Sequence, residues 1–105
     1  MDEEQKRAPL YEAMECYRKD GAVGYHTPGH KQGKGAPAIL REMITEKGLQ
    51  MEVSLMAELD DLHAPEGCIA KAQQLAARLY QADASYFSIN GTSGAIQAMI
   101  LTAVM

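Results

Sequence analysis

Residues 85–105 read SYFSINGTSGAIQAMILTAVM. A short β-prone run, SYFSI, meets the turn Asn90-Gly91, and Thr92-Ser93-Gly94 then opens an apolar, helix-prone segment. A strand that feeds a helix through small, glycine-bearing residues aims free backbone N–H groups and two hydroxyls at one point. Such a point suits an anion, most often a phosphate. The sequence stops at Met105 inside the apolar helix, with no capping residue. The expectation is therefore an α/β protein of which this chain is the N-terminal part, its parallel or mixed sheet barely begun.

Charge and cysteine usage narrow the functional classes. The 105 residues carry a net charge of −4, which argues against a nucleic-acid surface or an anionic membrane as the main partner. The start, MDEEQKR, lacks the apolar core of a signal peptide. The longest apolar run, near 95–105, is broken by Gln97 and Thr102 and is too short to span a bilayer. Cys16 and Cys68 form no CxxC pair, so reduced thiols in a cytoplasmic protein are expected.

Upstream, a helix is predicted from about Pro9 to Lys19, with Leu10, Ala13, Met14 and Tyr17 on its apolar face and Asp20-Gly21 ending it. Residues 22–25 read as extended because Val23 and Tyr25 favour strand geometry. Residues 26–37, HTPGHKQGKGAP, form a glycine- and lysine-rich loop in which Pro28-Gly29 suits a type II turn. A short helix should start at Pro37 and end at Gly48. Residues 51–59 fit neither period. After the loop DDLHAP, in which Asp60 is placed to cap, a helix from Pro65 to about Gln81 buries Ile69, Ala72, Leu75, Ala76 and Leu79.

Several motif readings of the glycine-lysine loop fail. The glycine spacing is wrong for a Walker A loop, and no Ser or Thr follows Lys34. His26 and His30 have the separation of two helical zinc ligands, but Pro28-Gly29 between them forbids the helix and no third ligand is near, so no metal site is expected. Thr92 or Ser93 alone would serve as an ordinary helix cap. The preceding β-prone run, Gly91 and the second hydroxyl favour the anion.

YHTPGHKQGKG, LDDLHAPEG and FSINGTSGAIQAMI, in this order, together resemble the Orn/Lys/Arg decarboxylase family over about residues 9–105. The resemblance implies a pyridoxal-phosphate-dependent enzyme of the aspartate-aminotransferase type (fold type I), acting on arginine, lysine or ornithine in polyamine metabolism. It divides the chain into an N-terminal helical arm with the loop, 1–59, and the start of the cofactor-binding major domain, 60–105. It places the cofactor phosphate on Gly91, Thr92 and Ser93, and brings His30 or Lys31 towards a substrate carboxylate or the cofactor region; Asp61 or His63 is the further candidate to line the active-site mouth.

The resemblance further implies a basic amino-acid substrate, a homodimer or higher homo-oligomer, and a Schiff-base lysine beyond Met105. No catalytic residue is therefore expected within these 105 positions, and the chain alone is expected to be inactive. The competing expectation is a non-catalytic remnant that binds another subunit through the apolar faces carrying Ile39 and Leu75.

Overall fold

Helix α1, Pro9–Asp20, forms where the sequence places it. Pro9 lacks an N–H that a first turn leaves unbonded in any case. Gly21 closes the helix at φ 66, in the left-handed region, with its N–H donating to Arg18 O. The computed structural model describes residues 2–105. Their order is a 3-10 turn Glu4–Lys6, α1, α2 (Ala38–Ile44), α3 (Glu46–Gln50), a 3-10 turn Ala57–Leu59, α4 (Cys68–Tyr80) and α5 (Gly91–Val104).

The core gathers where α1 meets α4 and the Ala57–Leu59 turn. Leu59 and Leu75 are buried there; Tyr17 of α1, its ring centroid 6.0 Å from that of His26, is also buried, as are Leu49 and Ala36 in the loop and α3 region. The opening turn is latched onto α4 by Glu4 with Arg78, 2.5 Å, and by the Gln5 amide donating to Leu75 O, 2.9 Å. Glu15 of α1 receives Arg18 and also lies 3.6 Å from Lys19 and 3.7 Å from Lys47 of α3.

The α/β expectation is corrected. Among the described residues the architecture is helical, and the sole ladder-type pairing is an isolated antiparallel bridge between Met56 and Asp60. Residues 85–88 take no regular secondary structure; Ile89 and Asn90 turn. A strand needs a neighbouring strand for its N–H and C=O groups, and β-propensity supplies none. Here the Phe87 N–H donates instead to the Gln73 side chain, 2.8 Å, so this segment runs back along α4. That path explains why Ala77, off the predicted stripe, is buried, while Leu79 on the stripe is exposed.

Three smaller readings also change. Residues 22–25 form no strand, and Val23 and Tyr25 are exposed. Gly29 does not adopt the positive φ of a type II turn; the left-handed residues of that loop are Lys31, Gln32 and Gly33. The helix expected from Pro37 to Gly48 breaks at Thr45, φ 78, whose hydroxyl accepts the Gly48 N–H at 3.2 Å and starts α3. Gly48 thus lies inside a helix.

The arrangement is open. The radius of gyration is 16.9 Å, against about 13 Å for a compact domain of this length. The accessible surface is 7786 Å², where a compact protein of this mass exposes about 5,800 Å². Helix α5 contributes to the excess: no residue in it is buried, and Ile96, Met99, Ile100, Leu101 and Val104 are all exposed. No helix among the described residues is long and apolar enough to cross a membrane.

Candidate functional site

The turn into α5 is built by glycines and two short polar side chains. Gly91 takes φ 67, a conformation that L side chains rarely adopt. The Ser88 hydroxyl donates to Gly91 O at 2.8 Å and fixes the bend. Gly94 is needed for close approach: a Cβ there would stand 2.8 Å from Asn90 Cβ and 3.5 Å from Ser88 Oγ. The Asn90 side chain does not cap the helix.

Among the described residues, the N–H groups of Thr92 and Ser93, which precede the first intrahelical bond, and the hydroxyls of both residues donate to no protein acceptor. These donors start a fourteen-residue helix with no acidic residue in its first turn. Free N–H groups and the positive end of the helix dipole favour an anion there. Gly91, Thr92 and Ser93 are exposed, so the site is open to solvent.

Asp60 organises the acidic loop. Its carboxylate accepts the N–H groups of Asp61, Glu66, Gly67 and Ile69 at 2.8–2.9 Å and of Ala70 at 3.3 Å. These bonds, led by the Glu66 N–H, hold its carboxyl well below the usual carboxylate range. The capping role read from the sequence is therefore observed. Asp61 Oδ1 accepts the His63 backbone N–H at 2.9 Å, and the exposed His63 ring makes no hydrogen bond among the described residues. Burial pushes the neighbouring Cys68 thiol up, with the Asp60 charge adding to it.

His30 and Lys31 hold their own loop. His30 Nδ1 accepts the Gly33 N–H at 2.9 Å, and Nε2 lies 2.8 Å from Glu52 Oε2. Lys31 Nζ donates to His26 O at 3.2 Å. His26 Nδ1 is 2.7 Å from Thr27 O, and its Nε2 is buried without a partner. No hydrogen bond among the described residues joins His30, Lys31 or His63 to Gly91, Thr92 or Ser93. Glu52 and Gln73 escaped the sequence reading, since their partners lie 22 and 14 residues away and no local pattern marks them. No group of side chains that could hold a metal occurs among the described residues.

The sequence model of the Orn/Lys/Arg decarboxylase major domain matches residues 8–105. An arginine decarboxylase of Halalkalibacterium halodurans is 41% identical over 95% of the chain and 20% of its own length. One from Bacillus cereus is 43% identical over 93% of the chain and 21% of its own length. An ornithine decarboxylase of Haemophilus influenzae is 30% identical over 87% of the chain and 14% of its own length. The chain thus spans about a fifth of the arginine decarboxylases it resembles. No solved structure matches it.

Proposed function

We infer that this chain, which belongs to the Orn/Lys/Arg decarboxylase family, supplies the phosphate grip of a pyridoxal-phosphate-dependent decarboxylase of basic amino acids. The observation that carries this reading is the set of unengaged N–H and hydroxyl donors at Thr92 and Ser93, held open by Gly91 and Gly94. The residues fit a phosphate. A doubly charged group gains several charge-assisted hydrogen bonds from such donors, and no carboxylate stands in the first turn to oppose it. When bound, the pyridoxal ring supplies the electron sink for loss of CO2.

The residues of this chain orient and do not carry the bond-breaking step. Thr92 and Ser93 fix the anionic end, and the Ser88 to Gly91 bond keeps their amides aimed at one point. His63, with its ring free, is the loop group proposed to face the substrate side. His30 and Lys31 are proposed to shape that mouth through the bonds they make within their loop. Arginine is the favoured substrate of the full enzyme, on the strength of relatives named arginine decarboxylase, with a polyamine or its precursor downstream. A homodimer is the proposed assembly.

The test compares pyridoxine 5′-phosphate with pyridoxine, neither of which carries an aldehyde to react with surface lysines. Calorimetry should show saturable binding of the phosphate ester and none of the alcohol. Thr92→Ala/Ser93→Ala should weaken the ester about tenfold or more. Equal behaviour of the two ligands would remove the reading. The exposed apolar helix α5 favours a second reading, a piece whose main work is to bind another subunit.

A further inference from the structure

A cleft of about 390 Å³ opens where the end of α1, the glycine-lysine loop, α2 and α3 meet. Arg18, Lys34 and Arg41 line it, together with Glu46, Gln32 and Gln50. Arg18 is paired with Glu15, so Lys34 and Arg41 against Glu46 leave this wall a surplus of one positive charge in a chain whose net charge is −4. Such a concentration of one sign focuses the field within a cleft and draws counter-ions to it.

The cations differ in how they are held. Arg18 is anchored by Glu15 through two bonds, Nε to Oε2 at 3.0 Å and Nη2 to Oε1 at 2.7 Å. Lys34 and Arg41, both exposed, make no ion pair among the described residues. Gln32 and Gln50 add neutral amide donors. Gly21 and Gly33 complete the wall. The volume equals about a dozen water molecules in the liquid, room for more than a single small ion.

We propose that this cleft binds a compact phosphate-bearing anion of the pyrophosphate type, with Lys34 and Arg41 as its principal charge partners. Glu46 opposes the ligand and limits its affinity. The site shares no residue with the α5 turn and does not depend on the cofactor assignment.

The probe is inorganic pyrophosphate, titrated into the chain by calorimetry at low and at physiological salt. One equivalent should bind through the cleft, more weakly as salt rises. Lys34→Ala and Arg41→Ala should each weaken that event about tenfold, and Glu46→Gln should tighten it severalfold. Because Lys34 and Arg41 are exposed, neither truncation removes packing. Thr92→Ala/Ser93→Ala should leave the event intact. The proposal is overturned if no saturable binding occurs, if neither Lys34→Ala nor Arg41→Ala weakens it, or if the α5 double variant alone abolishes it.

Discussion

Gly33 sits directly against Leu49: a methyl group on Gly33 would stand 3.1 Å from Leu49 Cβ and 3.3 Å from its Cδ1. Gly33 also takes φ 90, and Leu49 is wholly buried. This contact ties the glycine-lysine loop to α3, and so sets one wall of the basic cleft.

Gly33→Ala should destabilise the chain by about 1–3 kcal/mol through backbone strain and crowding. Leu49→Ala should cost about 2–5 kcal/mol through loss of a buried side chain. The double variant should fall short of the sum by roughly 0.5 kcal/mol or more, because truncation removes Cδ1, one of the two carbons that the new methyl meets, while Cβ stays. Urea unfolding of the four proteins measures it; strict additivity would deny any energetic role to the Cδ1 contact.

Asp60 predicts a pH signature. Its carboxyl is depressed in the folded chain, so below its usual value of 3.8 the unfolded state binds the proton first. The stability it contributes is present above that value and is lost as pH falls towards the depressed one. Glu12 and Glu15, both drawn down to about 2 by hydrogen bonds from Arg7 and Arg18, lose charge in the same region. Its share is therefore the difference between wild type and Asp60→Asn in acid unfolding followed by circular dichroism. The variant should be the less stable at neutral pH, and the gap should close below pH 3.8. A gap that persists unchanged into strong acid contradicts the account.

Gly94→Ala should damage the α5 turn although alanine favours helices. The intrinsic gain is about 1 kcal/mol, but the added Cβ meets Asn90 at 2.8 Å. Pyridoxine 5′-phosphate affinity should drop several-fold, and Asn90→Gly in the same chain should recover most of it. Failure of that rescue would place the cause elsewhere.

Helix α5 should drive association. Its exposed Met99, Ile100 and Val104 form part of a surface that soluble monomers rarely leave uncovered. Sedimentation of the chain should give a mass above that of a monomer, and Met99→Lys/Val104→Glu should shift it towards one. An unchanged, monomeric wild-type chain would contradict this.

The elements legible in the sequence are those whose signals are local. Pro9 and Gly21 bound α1, and the apolar period marks α4. Asp60 sits just ahead of a helix start, where a short acidic side chain caps. The illegible parts depend on partners remote in sequence. Tyr86, Phe87 and Ile89 favour a strand, yet their propensity says nothing about whether a second strand lies alongside. Thr45 breaks α2 from α3 at a φ of 78 that a β-branched residue seldom adopts, so no propensity anticipates it. Of the candidate site, Gly91, Thr92 and Ser93 stand at a helix mouth as read, whereas the convergence of Arg18, Lys34 and Arg41 depends on three separate elements folding together.

No residue from Gly91 to Met105 carries a formal side-chain charge. Contacts made by such a surface draw their strength from water release, which fades on cooling. Aggregates held by α5 should accordingly loosen on ice and tighten on warming, with little response to added sodium chloride, whereas the Glu15 cluster of α1 and α3 should answer chiefly to the salt.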